Sequence, residues 1–307
     1  MLRRAARDIR RGKTVLVILV SLSAAAALPA RSGVAAQGER PLPGAEFIGR
    51  ACAGERETAA APIAPSGPQR RSLLADDDRE LRAATTAYPW STICKLFVEF
   101  PDHARVTGTG TLIGPALVLT AGHMLSSKQH GGWAQRVMVA PGYSAHCFPF
   151  GREIVTEGGQ LHCPQGCLRR EDTDYDIGLI RLNSELGSVA GWLGVESPSD
   201  ADLADLNLHI AGYPGDRDGG ERLYESQGRL EHSASRRLFY RIVANHGDSG
   251  AALFVAPGAA AGPGSRYFIV GVHTNHNDAD GCGTRIIART LGWIREVQGS
   301  AEPHPLE

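Results

Sequence analysis

From about residue 93 onward, short runs of apolar and β-branched residues alternate with turn signals. A first set of runs covers residues 96–99, 106–113, 117–120, 136–140 and 177–182. A second set covers residues 208–212, 221–230, 238–243, 251–255, 267–273 and 284–288. Runs of this length between turn residues predict β-strands. Because no helix-length apolar periodicity separates them, the pattern disfavours βαβ units and predicts two β halves joined near residues 187–203.

The two ends of the chain have different patterns. Residues 288–297 place Leu291, Ile294 and Val297 at spacings of three, which predicts a short amphipathic C-terminal helix, with residues 299–307 as a tail. Residues 37–85 are rich in Pro, Ala, Gly, Arg and Glu and have little apolar periodicity. This composition predicts a propeptide or linker.

The first 36 residues have the pattern of a secretory signal peptide. A basic stretch ends at Lys13, an uncharged apolar run follows over residues 14–30, and Val34-Ala35-Ala36 is a small-residue cleavage site. The run is short for a membrane span, which needs about 20 residues. We therefore predict a secreted or periplasmic protein with no stable membrane association after signal removal. An uncleaved signal anchor is the alternative.

Composition and charge narrow the class of protein. The 307 residues are 42% hydrophobic and carry 37 glycines and a formal net charge of −1. The apolar content and low net charge exclude a disordered chain, and glycine without a three-residue period excludes collagen. The basic residues are concentrated in the leader while the rest of the chain is net acidic, so nucleic acid is not an expected partner.

Six cysteines raise the choice between disulfides and metal ligands. They are Cys52, Cys94, Cys147, Cys163, Cys167 and Cys282. Export into an oxidising compartment favours disulfides, whose pairing the sequence does not determine. His162 beside Cys163 and Cys167 suggests zinc, but the paired spacing of zinc ribbons is missing. We predict no metal and no cofactor, and an exported zinc-binding β protein is the alternative.

Three short segments carry residues that together can perform nucleophilic catalysis. They are Thr120-Ala121-Gly122-His123, Asp174-Tyr175-Asp176 and Gly247-Asp248-Ser249-Gly250. A serine hydroxyl needs a base, histidine titrates near neutral pH, and a carboxylate on its other nitrogen fixes the tautomer. The glycines around the serine let the amides of Gly247 and Ser249 point at a developing oxyanion, worth about 3 kcal/mol per donor.

In this order, Thr-Ala-Gly-His, Asp-Ile-x-Leu-Ile-x-Leu and Gly-Asp-Ser-Gly resemble the motifs of the chymotrypsin-like (trypsin-like) serine proteases over about residues 90–298. The resemblance implies an all-β fold of two antiparallel six-stranded β-barrels with a short C-terminal helix. It places the protease domain at residues 86–298, with one barrel at about 90–186 and the other at about 204–288. The implied activity is that of a monomeric serine endopeptidase that hydrolyses protein or peptide substrates through an acyl-enzyme.

The same resemblance assigns the catalytic roles. It makes His123 the general base, Asp176 the orienting acid and Ser249 the nucleophile, with Gly247 and Ser249 forming the oxyanion hole. Asp174 is the rival acid, but Asp176 directly precedes Ile-Gly-Leu-Ile, the register of the family motif. A catalytically inactive homologue acting as an extracellular binding module is the alternative function, although such proteins usually lose a triad residue.

A closer resemblance is to the bacterial glutamyl endopeptidases, through Gly212-Tyr213-Pro214-Gly215-Asp216 and Gly271-Val272-His273. In that branch a histidine at the position of His273 helps to bind an acidic side chain, which implies a preference for Glu or Asp before the scissile bond. The other implied substrate-binding residues are Val243, Ala244 and Thr274. Ala244, Asp248 and Thr274-Asn275-His276 depart from the usual residues of the branch, and a strand histidine without a substrate role is the alternative for His273.

The family also implies something about disulfides and activation. Met124 stands where the animal enzymes have a cysteine, so a local disulfide such as Cys147–Cys163 or Cys163–Cys167 is suggested instead. In animal zymogens a new N-terminus pairs with the aspartate before the nucleophile, here Asp248, but no Ile-Val-Gly-Gly start follows Arg70-Arg71 or Arg82. We predict a zymogen that loses residues 37 to about 71–85, with Arg70-Arg71 as the processing site. Cys52 then either stays tethered by a disulfide or leaves one free thiol behind.

Overall fold

The computed structural model describes residues 45–46, 77–156, 158–257, 266–276 and 281–299. The strands in these residues are β1 (Ala45–Glu46), β2 (Glu80–Leu81), β3 (Ile93–Glu99), β4 (Arg105–Gly114), β5 (Leu117–Thr120), β6 (Ser126–Ser127), β7 (Gly132–Trp133), β8 (Arg136–Pro141), β9 (Arg152–Val155), β10 (Leu161–His162), β11 (Gly178–Arg181), β12 (Gly194–Val195), β13 (Asn207–Gly212), β14 (Tyr224–Ser233), β15 (Arg237–Tyr240), β16 (Ala252–Val255), β17 (Phe268–His276) and β18 (Gly281–Arg285). The α-helices are α1 (Gln165–Arg170), α2 (Leu186–Ala190), α3 (Asp200–Leu203) and α4 (Ala288–Gly299). Single 3₁₀ turns lie at Trp90–Thr92, Gly122–Met124, Gly158–Gln160, Thr173–Tyr175 and Asp218–Gly220. The predicted signal peptide lies outside the described residues.

Most of the strands form two curled, mainly antiparallel sheets, one from each predicted half; β12 is a parallel neighbour of β17, and β6 and β7 form a separate pair. The first runs in the order β1-β9-β8-β3-β4-β5-β11-β10. In the second, β16-β13-β14-β15-β18 follow in order and β17 pairs with both β16 and β18, so six strands close into a barrel. The prediction of a chymotrypsin-like all-β fold is confirmed. The first half differs from the expected closed barrel because, among the described strands, its two ends do not pair with each other.

The predicted runs match most of the long strands. β5 has the predicted bounds, and the C-terminal helix α4 extends two residues beyond the predicted end at 297. The last strand is shifted by three residues, from the predicted 284–288 to the observed Gly281–Arg285. Its first three residues, Gly-Cys-Gly, carry little of the apolar pattern that predicts strands. None of the helices in the described residues is long and apolar enough to cross a membrane.

Two groups of buried side chains hold the halves together. One fills the first sheet and continues to Trp293, Ile294 and Val297 of α4, and the other fills the second barrel around Leu238 and Leu253. Each such side chain contributes about 1.5–3 kcal/mol through removal from water. Because α4 follows the second barrel in sequence but packs on the first group, it fastens the end of the chain to the first half.

A short N-terminal segment, residues 77–82, is bound to the second half. β2 pairs with β14. The guanidinium of Arg79 donates two hydrogen bonds of 2.7 Å to the carboxylate of Asp216 and two more, of 2.9 and 2.7 Å, to Asp77. The Arg79 side chain is only 4% exposed. The end of the predicted propeptide or linker, residues 77–85, is thus part of the folded unit, while most of residues 37–76 lie outside the described residues.

The cysteines require a correction. Cys94, Cys163, Cys167 and Cys282 are free thiols, so neither Cys147–Cys163 nor Cys163–Cys167 forms. The thiol of Cys163 instead donates to the carbonyl oxygen of Gly122, 3.7 Å away. Cys147 is not among the free thiols, and Cys52 lies outside the described residues.

Candidate active site

His123 and Asp176 are brought together by two neighbouring strands of the first half. His123 lies in the 3₁₀ turn directly after β5, and Asp176 ends the turn directly before β11. β5 and β11 are antiparallel, with Thr120 opposite Gly178. The C-terminal end of one strand therefore lies beside the N-terminal end of the other, which places the two side chains at the same edge of the sheet.

Two hydrogen bonds join these residues. Nδ1 of His123 lies 2.8 Å from Oδ2 of Asp176, and the His123 amide donates to Oδ1 at 2.8 Å. The histidine side chain is 40% exposed and the aspartate side chain 12%. Burial lowers the pKa of His123, but the charge of Asp176 and its hydrogen bond outweigh burial and raise that pKa above the ordinary value. Asp176, and not its rival Asp174, is the aspartate bonded to the histidine.

The Ser249 segment turns sharply between two glycines with positive φ. Gly247 has φ +102° and Gly250 has φ +88°, a region that favours glycine. A Cβ on Gly247 would lie 2.2 Å from the carbonyl oxygen of Tyr213, and one on Gly250 would lie 2.1 Å from the Thr120 hydroxyl. Only glycine fits at either position. Among the described residues, no acceptor is bonded to the amides of Gly247 or Ser249.

The serine and histidine segments meet across the two halves. Gly250 packs against Thr120 and Ala121, the start of the Thr-Ala-Gly-His segment. A Cβ on Gly108 would touch both Met124 and the carbonyl oxygen of Ser249, at 2.5 and 3.0 Å. The structure thus brings together the three segments that the sequence singles out, and Ser249 is half-buried among them.

The carboxyl group of Asp248 is buried beneath the nucleophile segment. It is 3% exposed, and its Oδ2 accepts a hydrogen bond of 2.8 Å from the Asn245 amide. Burial raises the pKa of Asp248 to about 7, although the bond from Asn245 acts in the opposite direction. At neutral pH this group is therefore divided between its protonated and charged forms.

The predicted substrate-binding residues are buried in the second half, and His273 is bonded to the residues that follow Ser249. Val243, Ala244, His273 and Thr274 are all buried, at 4%, 3%, 1% and 7% exposure. The His273 backbone donates to Ala251 and accepts from Gly250, the two residues after Ser249. The hydroxyl of Tyr240 lies 2.7 Å from Nδ1 of His273. The hydroxyl of Thr274 is buried without a hydrogen-bond partner among the described residues.

Comparison with known proteins identifies the family. A family model for trypsin matches residues 82–290. The chain belongs to the trypsin family. The match includes both halves and all three candidate catalytic residues, so the chain is a trypsin-like serine endopeptidase.

Its relatives include bacterial endopeptidases. A glutamyl endopeptidase of Bacillus licheniformis is 29% identical over 238 residues, which cover 76% of this chain and 71% of that protein. An extracellular metalloprotease of Bacillus subtilis is 27% identical over 222 residues, which cover 71% of this chain and 67% of that protein. A solved structure of a Glu endopeptidase in complex with MPD has a TM-score of 0.62 and 25% identity, and the match covers 74% of this chain and 99% of that one.

Sequence patterns alone missed two polar residues of the site. Tyr240 lies in a predicted strand, but nothing in the pattern pairs it with His273, which is 33 residues away. Thr109 lies in another strand and contacts the serine segment from the opposite half. The zinc alternative required His162, Cys163 and Cys167 to converge, and no three His, Cys, Asp or Glu side chains in the described residues form a metal-binding group.

Proposed function

We propose that His123, Asp176 and Ser249 are the catalytic triad of this endopeptidase. The observation that carries this proposal is the double hydrogen bond from His123 to Asp176, which leaves Nε2 of the imidazole for the serine. With Nδ1 bonded to the carboxylate, the neutral imidazole carries its proton on Nδ1 and has a lone pair on Nε2. This is the tautomer that a general base requires.

The reaction follows from these positions. His123 takes the proton of the Ser249 hydroxyl as Oγ attacks the scissile carbonyl carbon, and the carbonyl oxygen becomes an oxyanion between the amides of Gly247 and Ser249. The carbon–nitrogen bond then breaks as His123 passes the proton to the leaving amine. A water molecule, deprotonated by the same histidine, then attacks the acyl carbonyl carbon. The ester bond to Oγ of Ser249 breaks as His123 passes this proton to Oγ, which releases the carboxylic acid product and restores the serine.

The catalytic roles are tested with a fluorophosphonate probe, which reacts with activated serines. The wild-type protein is expected to be labelled, while the Ser249→Ala variant is expected to be unlabelled and to lose all measurable peptide hydrolysis. An exposed serine outside the site, Ser188, provides the matched control as Ser188→Ala. An unlabelled wild-type protein, or equal labelling of Ser249→Ala, would refute the triad.

We further propose that the enzyme prefers glutamate, or aspartate, before the scissile bond. A neutral Tyr240 hydroxyl that donates to Nδ1 of His273 places the imidazole proton on Nε2, where it can donate to a substrate carboxylate. The hydroxyl of Thr274, the next residue along β17, is buried without a hydrogen-bond partner among the described residues. Val243 and Ala244 offer no negative charge for a lysine or arginine substrate. Relatives with glutamyl endopeptidase activity support the same choice.

A panel of peptides that differ only in the residue before the scissile bond tests this preference. We expect Glu to be cleaved best, followed by Asp, with Lys, Phe and Leu far behind. His273→Gln is expected to reduce kcat/KM for the Glu peptide by at least ~10-fold and to change that for the Leu peptide little, because a buried hydrogen bond to a charged group contributes about 1.5–3 kcal/mol. If wild-type enzyme does not prefer Glu, the role of His273 is wrong.

We propose that the protein is exported and matures by removal of its leader and of a propeptide that ends at Arg70-Arg71. The bonds of Arg79 to Asp216 and of β2 to β14 support a cut before Asp77, since a later cut would also remove this segment of the second half. A cut after Arg71 separates β1, which pairs with β9 at the edge of the first sheet, from the rest of the chain. The mature enzyme is proposed to be a monomer. N-terminal sequencing of the secreted enzyme tests this maturation, and a mature chain that begins at Gln37 would contradict it.

A further inference from the structure

A buried residue of the first half, Thr109 of β4, is hydrogen-bonded to the Ser249 segment. The Thr109 amide donates to the carbonyl oxygen of Ser249 at 2.9 Å. Its hydroxyl donates to the carbonyl oxygen of Gly247 at 2.8 Å. Thr109 therefore contacts the backbone of both residues whose amides are proposed to form the oxyanion hole, and it is completely buried.

The same hydroxyl also accepts a hydrogen bond. The Tyr213 amide donates to Oγ1 of Thr109 at 3.2 Å. Two residues further along, the Gly215 amide donates to the carbonyl oxygen of His246 at 2.6 Å. Since a trans peptide is planar with its N–H and C=O on opposite sides, this bond fixes the direction of the Gly247 N–H. The Thr109 hydroxyl fixes the next peptide, so the backbone is fastened on both sides of the Gly247 Cα.

Such fastening matters because Gly247 has no intrinsic conformational preference. Glycine adopts positive and negative φ with similar ease, so the φ of +102° has to be selected by contacts rather than by a side chain. A rotation of the peptide would turn the amide away from the oxyanion. An oxyanion-hole donor contributes only where it is already aimed before charge develops.

We propose that Thr109 is a positioning residue for the oxyanion hole, its hydroxyl holding Gly247 in the conformation that aims its amide at the reacting carbonyl. This inference rests on the proposed catalytic role of Ser249 and Gly247. The hydroxyl does not touch the substrate. Its removal acts on the chemical step and leaves the side chains around His273 in place.

Thr109→Val is the direct test, because it keeps the branched shape and removes only the hydroxyl. We expect kcat to fall about 10- to 100-fold, a part of the 10²–10³-fold that loss of an oxyanion donor costs, while KM changes less than about threefold. Inhibition by a peptide boronate, whose tetrahedral adduct uses the hole, is expected to weaken by a similar factor. Thr109→Ser retains the hydroxyl and is expected to restore most of kcat.

Thr111 provides a matched control. It lies two residues along the same strand and is equally buried, but its hydroxyl has no hydrogen-bond partner among the described residues. Thr111→Val is therefore expected to keep wild-type kcat and boronate affinity. If Thr109→Val behaves as Thr111→Val does, or if Thr109→Ser fails to restore kcat, the proposal is wrong.

Further measurements distinguish a variant that does not fold, a failure of the proposed triad and a failure of the positioning role of Thr109. Thermal unfolding shows whether each variant is folded, and Thr109→Ala serves as a second hydroxyl-free variant. If neither variant folds, the hydroxyl acts in folding and the proposal is overturned. If wild-type enzyme is not labelled by the fluorophosphonate, or Ser249→Ala retains activity, the proposed function fails. If both of those controls succeed and Thr109→Val keeps its kcat, the positioning role alone fails.

Discussion

The two halves of the molecule hold their catalytic groups in different ways. In the first half, His123 and Asp176 extend from adjacent strands and are bonded directly to each other. In the second half, the Ser249 segment depends on two glycine conformations and on hydrogen bonds from Thr109 in the other half. The proposed base is therefore held within one sheet, whereas the proposed nucleophile and oxyanion hole require both halves. Changes at the first site should alter proton transfer, and changes at the second should alter backbone geometry.

The largest expected effect concerns the bonded pair of the first half. Asp176→Asn should keep the packing but favour the wrong tautomer of His123, and in a triad of this kind such a change costs about 10⁴-fold in kcat. Because the charge of Asp176 raises the pKa of His123, the wild-type kcat/KM should rise with pH through a pKa above the ordinary histidine value, and the variant should lose that upward shift.

Steady-state kinetics across pH measures both effects. Asp174→Asn is the control, since Asp174 lies two residues away without bonding to His123, and we expect it to leave kcat and the pH profile close to those of the wild type. If Asp174→Asn lowered kcat as much as Asp176→Asn, the hydrogen-bonded pair of His123 and Asp176 would not be what catalysis requires.

A smaller loss is expected when the backbone of the second half is disturbed. Gly247→Ala would place a Cβ 2.2 Å from the carbonyl oxygen of Tyr213, at a φ that alanine adopts poorly. The segment should shift and misdirect its amide, lowering kcat about 10²–10³-fold. Gly219→Ala is the control, because that glycine also has positive φ but has no atom within 4 Å of an added Cβ. Activity equal to that of the control would show that the Gly247 conformation does not matter.

The smallest effect on activity is expected at Asp248, where stability should change instead. Burial raises the pKa of Asp248 from 3.8 to about 7. Between about pH 4 and pH 7, this carboxyl group is therefore protonated in the folded protein but ionised in the unfolded chain. The free energy of unfolding therefore falls as the pH rises from the unfolded pKa to the folded pKa, by about 1.4 kcal/mol for each pH unit.

Asp248→Asn cannot ionise and should escape this loss. Its free energy of unfolding, measured with urea, should match that of the wild type near pH 4 and exceed it by about 2–4 kcal/mol at pH 8. The exposed Asp202, changed to Asn, should have no comparable effect. A variant that is less stable than the wild type at pH 8 would mean that the charged carboxylate is stabilised in the fold.

Most of the fold and the three segments of the candidate site could be predicted from the sequence because both depend on local patterns. An apolar run predicts β5 with its observed bounds, and the motif register distinguishes Asp176 from Asp174. Both signals extend over only a few residues. The closure of each sheet is a long-range property that no local pattern reports. The family resemblance implied a closed barrel for the first half, which is an open curled sheet among the described strands.

The residues that support the site were harder to predict. Thr109 and Gly247 are 138 residues apart, and Tyr240 and His273 are 33 apart, so no spacing rule connects them. The suggested Cys163 disulfides were wrong because spacing in sequence does not report which way a thiol points. Composition groups residues 77–82 with a proline-rich linker, although Arg79 makes a bidentate contact with the folded barrel.

The contact between Arg79 and Asp216 affects how easily other proteases can cleave this part of the chain. Arg79 is almost fully enclosed by Asp77 and Asp216, and Arg82 lies over the Trp90 ring, 4.9 Å from its centre, while it also bonds Glu225. A protease that cuts after arginine must draw the side chain into its own pocket, with the flanking backbone extended and free. The side chains of Arg79 and Arg82 are already bonded to carboxylates of the folded protein, and the strand between them is paired with β14. Residues 77–82 are therefore protected from trimming by the same bonds that attach them to the second half.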